Sequence, residues 1–292
     1  MCIRDSNIYD NTAKIKKYNN ESGLLSDYYV GQKLGEIWGY VSDGYYTIDD
    51  FVLDDAKRDV WTLKEGVTSI QGVKVQPGDE KFKDFDGDGV ISSGAGTVSD
   101  PGDRKIIGNN RARFQFGANI GATYKGFSLD VRLQGVGKRD YWLSGSSIFP
   151  FAGSGSADAV FQPLFSNQTD YWTAKSYDPE NSDYMVAKNP NAKLFRIYDQ
   201  GNNVGSNTRV SDKYLQNTAY LRVKNITLGY TLPRHWVKHV LMESARIYVS
   251  VENLGTISNL PKGYDPEGNT NNAIVWDYPY YRTISIGANI TF

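Results

Sequence analysis

Asp84, Asp86 and Asp88 stand at alternate positions in Asp84-Phe-Asp-Gly-Asp-Gly89, with Ile91 two residues further on. This matches positions 1, 3, 5 and 6 of a calcium loop, where three carboxylates converge on one hard cation and a glycine permits the sharp turn. Position 7 ligates through its backbone carbonyl, which assigns the Val90 carbonyl. Position 12 should be acidic but is Ala95, and the nearest downstream carboxylates are Asp100 and Asp103. The motif therefore predicts a structural Ca2+ site whose far side must close from elsewhere. The competing expectation is an acidic, solvated turn.

Other chemistry has little support. His235 and His239, the only histidines, are spaced i, i+4. A zinc hydrolase motif would need a Glu where Trp236 stands, and a third ligand. They read as surface residues of a turn. The sequence has no G-x-S-x-G, no P-loop and no G-x-G-x-x-G. Carboxylate pairs such as Asp49-Asp50 and Asp54-Asp55 sit in polar stretches as solvated charge, with no histidine placed to act as base. No catalytic residue is assigned and no enzyme is expected. Cys2 is the single cysteine, so disulfide frameworks and thiolate metal sites are excluded.

The elements that position these residues read as strands. Side chains of a strand alternate between two faces. Near the end, Ile284, Ile286, Ala288, Ile290 and Phe292 share one face and Thr283, Ser285, Gly287, Asn289 and Thr291 the other. The same alternation runs through Phe114–Tyr124, through Phe127–Leu133 after a tight Lys125-Gly126 turn, and through Arg246–Glu252. Two further strands are expected over Tyr28–Val41 and Ala219–Thr231, the latter with a bulge at Lys224-Asn225. Several are about 9–13 residues long, near the ~9–11 that cross a membrane at a tilt and above the ~5–6 usual in globular proteins.

Connections alternate strictly between short (Tyr124–Phe127, Leu232–Ser244) and long (Ser42–Asn110, Lys138–Tyr214, Leu254–Pro279). Outer-membrane barrels have short periplasmic turns and long outer loops. The expected fold is all-β: an incomplete antiparallel transmembrane β-barrel segment of about 6–8 strands with long extracellular loops. Gln115, Asn119, Ser128, Asp130, Arg132 and Gln134 form a polar face suited to a hydrated lumen. Trp61, Trp142, Trp172 and Trp276, with Tyr45, Tyr46, Tyr171 and Tyr177, fall in or beside the long connections. There they either pack loops, anchor a barrel at the lipid interface, or stack on sugars.

Composition agrees. Tyr is the commonest aromatic at 21 residues and Gly numbers 29, as suits strands and turns rather than long helices. Lys plus Arg is 32 against 33 Asp plus Glu, a net charge of −1, which excludes the basic footprint of a nucleic-acid binder. No apolar run approaches the ~20 residues of a membrane helix, and no signal-peptide core is seen at the start. Residues 1–6 read as a non-native or scar-like head, and 7–292 as the barrel portion.

The final strand ending in Phe292, the run Tyr220–Pro233, and Gly263-Tyr-Asp-Pro-Glu267 resemble the C-terminal part of SusC/RagA-type TonB-dependent outer-membrane transporters. So do Asp84–Gly89, Asp103-Arg104 with Ile107-Gly108, and Tyr124–Phe127 leading into Gln134-Gly135. The resemblance implies a Gram-negative outer-membrane barrel of about 22 strands, plugged by an N-terminal domain that this stretch lacks. It implies uptake of glycans or peptides, a SusD-like surface lipoprotein as lid, and energy from the TonB complex through a missing N-terminal part. It also implies that Ile286, Ile290 and Phe292 form an assembly signal on the lipid side. Asp103 becomes the closing metal ligand, with Ser93–Gly102 as an insertion and Asp100 in reserve. The alternative is a secreted, calcium-stabilised β-sandwich that binds glycans. What the apolar face meets separates the two: lipid in a barrel, another sheet in a sandwich.

Overall fold

The computed structural model describes residues 2–53, 61–145, 148–150, 164–174, 186–197, 204–268 and 280–292. Six strands form one antiparallel sheet: β1 (Cys2–Tyr9), β2 (Arg113–Tyr124), β3 (Phe127–Lys138), β4 (Tyr220–Thr231), β5 (Ser244–Ser258) and β6 (Thr283–Thr291). They are ordered as in the chain, each paired with its neighbour, and the sheet does not close on itself. Among the described residues no helix is long and apolar enough to cross a membrane.

Register carries the alternation across the whole sheet. Ile120 pairs with Val131, Val131 with Ile226, Ile226 with Val251 and Val251 with Ile284. Paired residues point the same way, so the apolar sets fuse into one face. Nothing among the described residues covers it: Ile284, Ile286 and Phe292 are 66%, 83% and 84% exposed. The opposite face joins Asn119, Arg132 and Asn225 in one row and Asp130, Thr227 and Ser250 in another. At the short-turn end Tyr124, Phe127 and Tyr230 stand side by side on the apolar face, with ring centroids of the last two 4.5 Å apart. Such a row fits the aromatic girdle of a barrel wall.

The β2–β3 turn needs two residues at positive φ, and Lys125 (+46°) and Gly126 (+88°) supply them. The bulge falls at Lys224, skipped between Val223 and Asn225 in both of the pairings that β4 makes.

One strand differs from expectation. Tyr28–Val41 contributes no strand to the sheet; only Glu36–Gly39 is extended, and it pairs with Lys105–Asn109 inside a loop. Gly31 (φ +98°) and Gly35 (φ +86°) turn the chain where a barrel strand would run straight. Its place is taken by Cys2–Tyr9, paired residue for residue with Gln115–Ala122. The head thus pairs through its backbone, yet it sets Arg4 beside Ile120 and Ser6 beside Ala118 on the apolar face. The first long connection accordingly runs over residues 10–112, not Ser42–Asn110.

The three long loops (10–112, 139–219, 259–282) lie at one end of the sheet and the two short connections at the other. The loops carry cores of their own. Tyr40, Tyr46, Phe51, Ile70, Phe82 and Ile91 bury one another in the first. In the second, Leu143, Phe149, Leu194, Phe195 and Tyr214 form a core onto which Tyr45 of the first loop and Leu260 and Tyr264 of the third pack. At about 1.5–3 kcal/mol per buried large side chain, these clusters make the loops a built body on the sheet.

Candidate functional site

The acidic turn is held by its own backbone. Asp84 accepts from the N–H of Gly87 (2.6 Å) and Gly89 (2.8 Å), Asp86 from Asp88 (3.2 Å), and Asp88 from Val90 (2.7 Å). Gly87 (+78°) and Gly89 (+80°) take the left-handed conformation that the turn demands. One carboxylate oxygen from each aspartate lies within 4.8 Å of the others. The backbone N–H groups of Gly87 and Gly89 hold Asp84 below the usual carboxylate range. Asp86 is raised: the Asp88 N–H draws it down, but desolvation and repulsion from Asp103, Asp88 and Asp84 outweigh that bond.

Asp103 is fully buried (0% exposed) beside this turn. One of its oxygens accepts from the Phe85 N–H and the other from the Ser92 N–H, both at 2.8 Å. Its own N–H donates to the Ser92 carbonyl (3.1 Å), so Ser93–Gly102 is looped out between two touching residues. Asp100 is spent within that loop, accepting from Ala95 (2.8 Å). The carboxylates of Asp84, Asp86 and Asp88 form a set of hard oxygens of the kind that suits Ca2+, while both oxygens of the neighbouring Asp103 are engaged by backbone N–H groups.

His235 and His239 are exposed in the short β4–β5 connection, in separate single turns. Tyr46 and Trp172 are loop core, and Tyr45, Trp142 and Tyr171 pack against the second cluster. Asp54, Asp55, Tyr177, Trp276 and the side chain of Trp61 lie outside the described residues.

Two buried charge clusters escaped sequence reasoning. Arg222, on the polar face of β4 and 2% exposed, donates to Thr256 Oγ1 (2.7 Å), Glu267 Oε2 (2.8 Å) and Asp265 Oδ2 (2.5 Å). Lys224 shares that Glu267 oxygen (2.6 Å), and Arg139 donates to the Pro266 carbonyl. Together they strap the third loop onto the polar face. The second cluster is Glu80, 0% exposed, with the Ser42 and Ser211 hydroxyls facing its carboxyl. Burial pushes Glu80 up to about 8, the Lys213 ammonium opposing. Neither leaves a periodic signal, because the partners lie tens to over a hundred residues apart.

Comparison with known proteins bears on this geometry. TonB-dependent receptor P3 of Formosa agariphila is 28% identical over 277 residues, 90% of this chain and 22% of its own length. TonB-dependent receptor P26 of the same organism is 25% identical over 226 residues, 74% of this chain and 20% of its own. The RagAB peptide transporter matches 100% of this chain with 27% of its own, at a TM-score of 0.56 and 19% identity. This chain is similar to a SusC/RagA-type TonB-dependent transporter. The RagAB peptide importer in its open-open state agrees, with a TM-score of 0.57 at 18% identity. No family model matches. The chain spans about a fifth of the length of the curated relatives it matches. The fold is that of an incomplete transporter barrel wall, and the uncovered apolar face disfavours the sandwich, whose second sheet is absent among the described residues.

Proposed function

We propose that this chain is the wall and outer-loop portion of an outer-membrane TonB-dependent transporter of a Gram-negative bacterium, importing glycans or peptides without catalysis. The observation that carries this is the single sheet with one continuous uncovered apolar face, one polar face, and all long loops at one end. The apolar face meets lipid; the polar face lines water. A SusD-like surface lipoprotein covers the loop end as a lid, and the TonB complex supplies energy through a part outside this chain. Arg4 on the apolar face supports keeping residues 1–6 as a scar-like head and 7–292 as the barrel portion. Its two unpaired sheet edges and apolar face predict that the chain needs detergent. A monodisperse monomer in plain buffer would sink the membrane reading.

The loops include a structural Ca2+ site: Asp84, Asp86 and Asp88 with the Val90 carbonyl, closed by Asp103. The ion holds the base of the first loop and touches no substrate. An extracellular-type affinity of about 10⁻⁴–10⁻³ M is expected. Asp86→Ala abolishes calcium-dependent protection of residues 84–103 from proteolysis and leaves the sheet intact. Equal protection with and without calcium in the parent chain refutes the site.

A further inference from the structure

The β4–β5 connection carries apolar side chains that the chain itself leaves open. It passes through a helical turn, Arg234–Val237, and a second, tighter turn, Lys238–Val240, before β5 begins at Ser244. Val237 is buried, whereas Trp236, Val240 and Leu241 are exposed, Leu241 to 87%. Leu241 closes the second turn in the left-handed conformation (φ +58°), a position that Gly or Asn ordinarily fills. Neither backbone conformation nor packing among the described residues accounts for a leucine there. An apolar medium around the connection does.

The connection also leans to one side of the sheet. Ala245 belongs to the apolar face, where it pairs with Ile290, and its carbonyl accepts from the Leu232 N–H. It is only 6% exposed, while Ile247 and Val249 on the same face of β5 stand open. The helical turn packs on β5, so the cover over Ala245 is the connection itself. That puts the connection on the lipid side, at the end where Tyr124, Phe127 and Tyr230 line up. Across the two turns Trp236 and Val240 are spaced i, i+4, and so are Arg234 and Lys238, which gives the segment an apolar flank and a basic flank. Glu243 is the one acid in residues 232–243. In the other short turn Lys125 Nζ stands 5.3 Å from the centre of the exposed Tyr124 ring. Both short connections thus set cations next to exposed rings. Proteins seat at a bilayer surface in this way, with rings at the headgroup level and cations on the phosphates.

We propose that the β4–β5 connection is a binding surface for anionic phospholipid headgroups, with Trp236, Val240 and Leu241 set into the acyl boundary and Arg234 and Lys238 on the phosphates. The inference rests on the transporter reading, which makes the apolar face the lipid face, and goes beyond it by giving a short turn a ligand. The test uses the full-length transporter carrying this chain, reconstituted in vesicles of phosphatidylethanolamine with a minor share of phosphatidylglycerol. The photoreactive residue benzoylphenylalanine is placed at Leu241 in one sample and at Val30, exposed in the first loop at the opposite end, in another. After irradiation, mass spectrometry is expected to find phospholipid attached at residue 241 and none at residue 30. Phosphatidylglycerol should exceed its share of the vesicle about fivefold at residue 241, the scale expected of two cations beside an anionic headgroup. Arg234→Ser/Lys238→Ser, at two exposed positions and scored only in protein that keeps heat-modifiable mobility, should return it to that share. Protein adducts in place of lipid, or as much lipid at residue 30 as at 241, overturn the surface. No enrichment in the parent, or equal enrichment in the double variant, overturns the headgroup assignment. Outer-membrane fractionation of the unmodified protein is scored separately: its failure overturns the transporter reading, whereas normal assembly without lipid adducts at residue 241 overturns only this surface.

Discussion

Glu267→Gln is the most incisive test of how the third loop is held. The substitution keeps shape and removes the charge shared by Arg222 (2.8 Å) and Lys224 (2.6 Å). Arg222 is 2% exposed, so its guanidinium cannot recover water without moving the loop. Removing one partner of a buried ion pair costs about 3–5 kcal/mol because the other charge stays buried. Here Asp265 still accepts from Arg222 at 2.5 Å and Thr256 at 2.7 Å, which lowers the cost below that range, to about 2–3 kcal/mol. At 1.4 kcal/mol per decade, local opening becomes roughly 30- to 150-fold more frequent. Hydrogen exchange read by mass spectrometry on residues 259–268 reports that opening, with the β2–β3 turn as internal control. The Asp265→Asn/Glu267→Gln pair should cost more than the sum of its parts, since each single variant leaves the other carboxylate on the guanidinium and the pair leaves none. Acceleration of less than threefold in the single variant, confined to this segment or not, refutes the strap.

Three further outcomes follow from specific groups. Glu80 titrates near 8 when folded, above its ordinary value of 4.5, so folding favours its protonated form. The stability this adds is full below pH 4.5 and lost as pH rises through about 8; proteolysis within residues 42–45 and 211–214 should speed between pH 6 and 9, and Glu80→Gln should flatten that profile. A Cβ added at Gly287 would collide with the Tyr248 ring, which covers that glycine on the polar face; Gly287→Val should lower the yield of heat-modifiable barrel, and adding Tyr248→Ala should restore part of it. Deleting Phe292, exposed on the apolar face beyond Ile286 and Ile290, should reduce outer-membrane assembly of the full-length protein; unchanged yield refutes its role as a signal.

How much of this was legible depends on whether the determining contact is local. Lys125-Gly126 and the phase slip at Lys224 are local, and both fall where alternation places them. The apolar face was legible because period 2 is a property of each strand alone. Tyr28–Val41 misled because its aromatic residues alternate for another reason: Tyr40 and Tyr29 are buried within a loop, with Tyr29 Oη donating to Glu36 (2.7 Å). Gly31 and Gly35 between them mark turns. Cys2–Tyr9 was passed over for the opposite cause. Its side chains break the face, yet backbone pairing with β2 does not consult them.

The same distinction explains why the charged groups escaped notice while the acidic turn did not. Asp84, Asp86 and Asp88 declare themselves because a calcium loop is written in consecutive residues. Asp103 enters only by resemblance, and the structure gives it a physical role that spacing could not: a buried carboxylate clamping Phe85 and Ser92 by their N–H groups. That clamp brings a fourth negative charge against Asp86, and repulsion from it is one cause of the raised Asp86 carboxyl. Four acidic groups held together by backbone hydrogen bonds are costly unless something positive shares the turn. Lys83 adjoins Asp84 and Lys105 lies over the Phe85 ring, 3.2 Å from its centre, yet among the described residues neither forms an ion pair with the carboxylates of the turn. The turn therefore concentrates negative charge where a loop base needs rigidity, and a bound Ca2+ would convert that repulsion into cross-linking of residues 84–90 to 103.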